Sequence, residues 1–430
     1  MGPLRHGTTV AIVGGGPGGV SCGITLKRLS RQLGRAINVI LYEGKTFEGK
    51  VRYNQCAGVV SPPIRHILRD GLEIPFPDHL VQRVITGYVL HSDTDRVTLD
   101  GDGEPSHAVR RVTFDAYLLD QAKRAGVEII QARVTDIEIH PNRAMVYSDM
   151  DNTRADVVVG AFGLDDGTCK LFERATPYRQ PGFISSIVTN LHPEQAFIDR
   201  FGHHIHAFLP SFRDIEFGAV TPKMNHFTIN IAGAAVTATW MDRFLAHPPV
   251  TQILPPGFDI EKAGLDYFKG RFPSSPAHHL YGDRYVTVGD AAGLLRPFKG
   301  KGVNAACLAG MRAAETIMKI GISRRAFRAY YEACREVTED LPYGRALRWL
   351  TIHTSRYRLL DPVLELASKD ERLRMALFNC VSAHKPFKQI FQETVDLELI
   401  SKLTMTLGSS FLRLNGAARK LGGKGDKEQG

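Results

Sequence analysis

The run Ala11-Ile12-Val13-Gly14-Gly15-Gly16-Pro17-Gly18-Gly19 constrains this chain more than any other stretch. A short β-rich run, Thr8 to Val13, leads into it, and Val20 to Leu33 leaves it with helical spacing. Gly14, Gly16 and Gly19 fit G-x-G-x-x-G, with Pro17 inside the turn. The first glycine permits the tight turn, the second lets the backbone approach a pyrophosphate, and the third lets helix and strand pack closely. Free N–H groups at the helix start, aided by the helix dipole, then face the phosphates. Ile37 to Tyr42 is a second β-branched run and completes a βαβ unit. An acidic residue that accepts ribose hydroxyls belongs about 20 residues after the glycines, at the end of that strand. Glu43 stands there. A glycine-rich packing turn is the bland alternative, but strand, helix and Glu43 together favour dinucleotide binding.

With 430 residues, the chain exceeds what one small core needs, and two intimately packed domains with a helical appendix are expected. Hydrophobic residues at 43% and charged residues at 23% describe a globular composition. His6 to Leu26 and Met224 to Met241 lack Asp, Glu, Lys and Arg. The first is full of glycines, and the apolar part of the second, Ile231 to Trp240, is too short to span a bilayer. Met1 to Val13 lacks the basic-then-apolar layout of a secretory signal, so a cytoplasmic location is expected. Ser410 to Arg419, with Phe411, Leu412 and Leu414 beside basic residues, leaves peripheral contact with a membrane surface open, although ordinary helix packing is the favoured reading.

Six cysteines form no C-x-x-C pair, and Cys380 with His384 has no second ligand pair, so neither a metal site nor a disulfide framework is signalled. The net charge of +9 reads either as a solvated surface or as a basic face for an acidic electron-carrier protein, an anionic lipid or a phosphorylated substrate. Nucleic acid is not expected, because no basic cluster interleaved with aromatics occurs.

Residues from about 78 to 100 read as hairpin-like, Phe114 to Ala125 as a helix and Val127 to Ile139 as strand-like. Asp156 to Ala161 reads as a short buried strand of a central parallel sheet. Alternating runs such as Ile215 to Val220 and His226 to Ala232 predict an antiparallel sheet covering a pocket. Arg284 to Val288 returns to a buried strand, Val303 to Ile320 is a helix with small residues on one face, and the chain after 325 is mostly helical. The expected class is α/β, with a Rossmann-like dinucleotide-binding domain (1–180 and 275–325), an antiparallel-sheet substrate domain (181–274), a C-terminal helical region (326–415) and a flexible basic tail (416–430).

Distant motifs choose the dinucleotide. Val288-Gly289-Asp290-Ala291-Ala292-Gly293 follows a strand and precedes a helix. This resembles the G-D-A motif of flavoproteins in the p-hydroxybenzoate hydroxylase and geranylgeranyl reductase superfamily. Asp156 to Gly163 is similar to that family's D-x-V-x-G-A-D-G segment, with Phe162 in place of the acidic residue and Asp165 and Asp166 just beyond. Arg111, Phe114, Asp115 and Leu118 match a third segment. The resemblance implies FAD as cofactor. It implies that Asp290 meets the ribityl chain, that the following helix start faces the isoalloxazine, that Arg111 contacts the phosphates, and that Val134 lies beside the adenine. Gly289, Gly293, Gly300, Gly302, Val303 and Asn304 belong to the same stretches around Asp290. No second glycine fingerprint provides a nicotinamide domain, so NAD(P)H would bind transiently or electrons would come from another protein.

Tyr53 to Pro62, with Cys56, looks like the cysteine-containing segment of the geranylgeranyl reductase branch, where that cysteine lies close to the flavin. Cys56 is therefore a candidate to relay a proton, against the alternative of a packing residue. Lys301 stands where the family commonly has Glu. It is a candidate cation beside the flavin's pyrimidine edge, against the alternative of a solvated lysine. Pro210 and Gly218 keep the spacing of the family's substrate strand, but its aromatic positions hold Ile205, Ala207 and Leu209, while His204, His206 and Phe208 fall on the other register. The pocket face is thus expected to be apolar and non-aromatic, and His206 to be structural. The implied activity is reduction of carbon–carbon double bonds of an isoprenoid or other lipid-like substrate. A flavin monooxygenase and a catalytically idle FAD-binding partner are the rivals. Halogenation is not expected, because the Trp-x-Trp-x-Ile-Pro segment of flavin halogenases is missing.

Overall fold

The computed structural model describes residues 1–47, 55–101, 103–296, 302–394, 396, 398–399, 401–402 and 404–405. Its first layer is a six-stranded sheet in the order Tyr281–Gly282, Tyr285–Thr287, Val157–Gly160, Thr9–Val13, Asn38–Tyr42, Glu128–Ile130. All neighbours are parallel except the Tyr281–Gly282 edge. The central strands are buried on both faces and accordingly read as continuous β-branched runs. Helix Pro17–Gln32 follows the first strand directly. It is crossed by helix Gly302–Lys319 so closely that a Cβ on Gly310 would lie 2.2 Å from Gly18 O. The small residues noted in the sequence on that later helix serve this crossing.

The expected helix at 114–125 runs Arg111–Arg124. The strand-like run 127–139 is two strands in two sheets: Glu128–Ile130 joins the parallel sheet, while Val134–Ile139 joins a three-stranded sheet with Ala144–Ser148 and Asn152–Ala155. A single extended segment serves both because the chain leaves the first sheet at Gln131–Arg133, where Gln131 Nε2 donates to Glu43 O (2.8 Å).

The second layer is a seven-stranded sheet in the order Phe268–Pro273, Phe183–Leu191, Phe227–Gly233, Phe217–Pro222, His204–Phe208, Gly87–His91, Arg96–Asp100. It is antiparallel except where His204–Phe208 meets Gly87–His91. Two of its strands thus come from residues 87–100, far from the 181–274 stretch that supplies the rest. One face packs Ile187, Ile229, Ile231, Val220 and Phe208 against helices Gln195–Phe201 and Ala238–Leu245. The other face looks towards the parallel sheet, and at its far edge Tyr88, Leu90, Val97 and Leu99 pack against Leu364, Leu373 and Phe378 of the C-terminal helices. Those helices are also tied by Arg348, whose guanidinium donates twice to the Glu216 carboxylate (2.7 and 2.6 Å). Two of the later helices start on side-chain caps: Ser323 Oγ accepts from Ala326 N–H and Asp370 Oδ1 from Leu373 N–H. Among the described residues no helix is long and apolar enough to cross a membrane, and no group of three potential ligands for a metal ion occurs.

Candidate functional site

A cleft opens at the carboxyl ends of the parallel strands. Gly14 sits at φ +110°, in the left-handed region, and a Cβ there would stand 2.4 Å from Ala161 O. A Cβ on Gly19 would meet Gly14 O at 2.0 Å, so this glycine lets the helix start close against the turn rather than lining the cleft. A Cβ on Gly16, in contrast, would meet nothing within 4 Å, because it would project into the cleft itself. The first backbone bond back from the helix is Val20 N–H to Gly16 O (3.0 Å). Pro17 has no N–H, and the Gly18 and Gly19 N–H groups lie too early in the helix for an intrahelical acceptor. Free N–H groups at a helix start beside an open cleft have the geometry that suits a phosphate-bearing ligand.

Glu43 is buried at one end of the cleft. Its Oε2 accepts from Gly15 N–H (2.9 Å) and its Oε1 from Lys45 N–H (2.8 Å). These bonds fix the carboxylate and leave lone pairs for ribose hydroxyls. Ala132, Arg133 and Val134 line the wall next to it. Arg111, in the first turn of its helix, reaches the cleft middle and is held by Asp115 through two bonds of 3.1 Å. At the far end Asp290 follows Gly289 (φ +63°), and helix Gly302–Lys319 begins beside it. The Asp290 carboxylate has no hydrogen-bond partner among the described residues and opens into the cleft. Burial pushes it up to about 6, with Arg111 pulling the other way. A carboxylate that opens into the cleft without a described partner suits a hydroxylated ligand that donates to it.

Of the residues singled out from the sequence, Gly14, Gly16, Pro17, Glu43, Arg111, Val134, Gly289, Asp290, Gly302 and Val303 line this one cleft. Gly293 does not: at φ +65° it packs against Ser275 O, a turn position. The Asn304 Nδ2 donates to Ser61 O (3.1 Å) and Pro62 O (3.3 Å), so it positions the segment that carries Cys56. Gly300 and Lys301 lie outside the described residues, as does the 410–419 segment. Asp165 and Asp166, whose role the sequence left open, both have partners within the protein, and Asp165 also lines the cleft. Asp165 caps helix Asp166–Ala175 by accepting from Thr168 N–H and Oγ1–H (2.9 Å each), and Asp166 pairs with Arg271 (2.9 Å). Phe162 stacks tilted on Phe172, with ring centroids 4.5 Å apart.

At Arg111, Asp290, Gly302 and Val303 the cleft adjoins a second chamber of about 380 Å³ between the two sheets. Ile205, Val188, Ala219, Phe217, Phe272 and Tyr88 give it a mainly apolar lining. Contrary to the expectation from the register along 204–209, it is not free of aromatics, because Tyr88, Phe217 and Phe272 come from other strands of the sheet. Ile205 faces in, whereas His206 and Phe208 pack on the opposite face of the sheet. His206 Nδ1 lies 2.9 Å from His91 Nε2, and burial holds both rings far below the usual histidine range, at about 4 and about 3. A neutral, hydrogen-bonded pair away from the chamber is a structural feature, as the register predicts. Cys56 is exposed in the chamber wall; of the other five cysteines, four are buried and Cys380 is half-buried.

Three features escape the sequence reading. Thr221 and Asn230 are buried in the chamber wall, and the Thr221 hydroxyl and Asn230 amide oxygen have no partner among the described residues. Lys223 is 1% exposed and donates from Nζ to Val109 O (2.6 Å). Burial lowers it to about 8. A lysine next to a turn ordinarily reads as solvated, and only alternation along 217–223 hints otherwise.

No family model matches the chain. Solved structures do share its fold. A geranylgeranyl bacteriochlorophyll reductase-like protein from Thermoplasma acidophilum aligns at a TM-score of 0.66 and 16% identity, over 91% of this chain and 99% of its own. A flavoprotein/dehydrogenase from Cytophaga hutchinsonii aligns at 0.66 and 15%, over 93% and 99%. A triple mutant of a flavin-dependent brominase aligns at 0.61 and 18%, over 89% and 98%. At such identities the likeness is one of fold: this chain has the α/β flavoprotein architecture on which both a reductase-like protein and a halogenase are built.

Proposed function

We propose that this chain is an FAD-dependent oxidoreductase that reduces a carbon–carbon double bond of a lipid-like substrate. The observation that carries the reading is the junction at Arg111, Asp290, Gly302 and Val303, where a cleft suited to a dinucleotide meets a largely apolar chamber. The residues present fit FAD. The Gly14–Gly19 turn receives the pyrophosphate, Glu43 the ribose hydroxyls, Arg111 a phosphate charge, and Asp290 a donor from the ribityl chain. The chemistry FAD supplies when bound and reduced is hydride transfer to carbon.

The chain's own residues do the rest. Ile205, Val188 and Phe217 exclude water from the reacting carbon. Asp115 fixes Arg111, so that its charge stays at the junction. Cys56 Sγ, exposed in the chamber wall, donates the proton that completes saturation, and water restores it. The basic net charge suits an acidic electron-donor protein.

Anaerobic reduction of the purified protein, followed by oxygen-uptake measurement, tests this. Ready reduction by dithionite or a ferredoxin, with reoxidation by a polyprenyl substrate, is the expected result. Fast reduction by NAD(P)H with substrate-dependent oxygen uptake would replace the reductase with a monooxygenase. A colourless protein that takes up no FAD would end both readings.

A further inference from the structure

Three neighbouring strands of the antiparallel sheet present one face to the site, and its chemistry changes in steps along them. Backbone register aligns Ser186, Ala232 and Phe217 in one row. The next row is Val188, Asn230 and Ala219, and the third Asn190, Thr228 and Thr221. Lys223 N–H bonds His226 O (2.9 Å), which brings Lys223 and His226 together as the next pair, with His192 stacked on His226 at 5.2 Å between ring centroids. Because side chains two apart share a face, the same surface runs from apolar through hydroxyl and amide to cationic. From Phe217 to Lys223 is six residues, roughly 20 Å at about 3.3 Å per residue.

The apolar end is the chamber described above. The cationic end is a separate polar chamber of about 540 Å³, and Gln55, Cys56 and Arg111 line both. Lys223, His226, His192 and Arg110 line it. Lys223 has no carboxylate partner among the described residues: its single bond is to the Val109 carbonyl, and the ionisable groups acting on it are Cys56 and Arg110. Asp266, the chamber's acidic residue, is exposed and forms no ion pair with it. A fully buried ammonium normally has an anionic partner, since burial of an unpaired charge is costly. Here the ammonium, bonded to the Val109 carbonyl, stands with Arg110 in the wall of a cavity.

We propose that this polar chamber is an oxyanion subsite, and that the substrate is an amphiphile. Its carboxylate or phosphate head sits on Lys223 and His226, while its apolar body runs along the sheet face past Thr221, Asn230 and Cys56 towards Phe217. This rests on the apolar chamber being the substrate's. It adds to that reading the class of substrate, its orientation and the part of the molecule that is recognised by charge. The Thr221 hydroxyl and the Asn230 amide oxygen, without partners among the described residues, lie at the seam where an ester, hydroxyl or pyrophosphate oxygen next to the head would pass.

Cys56 reports on the subsite, because it is the exposed cysteine among the six and stands where the chambers meet. The full-length protein is alkylated in parallel with iodoacetate and iodoacetamide, and modification of the Cys56 peptide is timed by mass spectrometry. In the wild type the anionic reagent should be favoured. Lys223→Met should lower the iodoacetate-to-iodoacetamide rate ratio roughly tenfold, while Lys223→Arg should keep it. Laurate should protect Cys56 from iodoacetamide at concentrations at least about tenfold below those needed for dodecanol, and Lys223→Met should erase that difference. A ratio unchanged in Lys223→Met, or equal protection by laurate and dodecanol in the wild type, overturns the proposal. Protection by inorganic phosphate without protection by laurate overturns it as well, since the chamber would then hold a free ion. None of these readouts uses flavin turnover. Failure of the reduction assay with success here removes the reductase reading and keeps the subsite, and the reverse result does the opposite.

Discussion

Replacing Lys223 by methionine should stabilise the ligand-free protein at neutral pH, against the usual expectation for a buried residue. The side chain is 1% exposed, and burial lowers its pKa from 10.5 to about 8. At about 1.4 kcal/mol per pH unit, holding the charge in the folded state costs about 3 kcal/mol. The sign follows from proton counting. Below pH 8 the folded and unfolded chains are both protonated, and the full cost is present. Between 8 and 10.5 the folded chain has released the proton and the unfolded chain has not, so stability rises with pH. At pH 10 about 1 kcal/mol of the cost remains. Methionine removes the charge at similar length but leaves Val109 O without the 2.6 Å bond, which costs about 1–3 kcal/mol. The net expectation is a variant more stable by about 1 kcal/mol at pH 7, with that advantage reversed or gone at pH 10 because the wild type has gained about 2 kcal/mol relative to it. Urea unfolding at both pH values measures this. A variant that is less stable at pH 7 by over about 1 kcal/mol, with a difference that does not change with pH, would show that the ammonium is already compensated, and the reasoning about an uncompensated charge would fall.

Other parts of the structure give equally definite expectations. Gly310→Ala places a Cβ 2.2 Å from Gly18 O, so the two helices that frame the cofactor cleft must separate; flavin affinity by fluorescence titration should fall roughly tenfold or more, together with the melting temperature. Arg348→Ala strands the Glu216 carboxylate, which is 9% exposed, and should cost about 3–5 kcal/mol in urea unfolding, much of it recovered in Arg348→Ala with Glu216→Gln. His91, His206 and His226 are held neutral by burial at about 3, about 4 and about 4. In the unfolded chain they take up protons below about 6.5, so stability should fall with pH from there towards 4 by roughly 1.4 kcal/mol per unit for each, and a His91→Phe variant should show a shallower fall.

Much of the architecture was legible because it follows from local rules. Gly14, Gly16 and Glu43 announce a strand-turn-helix whose spacing has one common use, and the structure brings them into one cleft with Arg111 and Asp290. The alternation along 204–209 correctly put Ile205 on the chamber face and His206 behind it, since period two is a backbone property of any strand. Residues 78–100 also read as hairpin-like; Gly87–His91 and Arg96–Asp100 do pair, but Val81–Ile85 joins Ser106–Val109 in another sheet, and nothing local says that the hairpin pairs in parallel with His204–Phe208 and so completes the second sheet. Likewise Val127 to Ile139 is uniformly strand-like, and only the competition between two sheets for its edges divides it.

By itself, then, the sequence determined the elements, the glycine turn that a phosphate group needs, and which side of each strand is apolar, because these depend on backbone sterics and on neighbours a few residues away. The tertiary structure decided what no short window contains. Among the described residues it gave Lys223 a buried place without a counter-charge and left the Thr221 hydroxyl and Asn230 amide oxygen without partners; it also set Gly310 against Gly18 and made Cys56 the meeting point of an apolar and a cationic chamber. Burial and charge balance are sums over segments distant in the chain, and they exist only once those segments have packed.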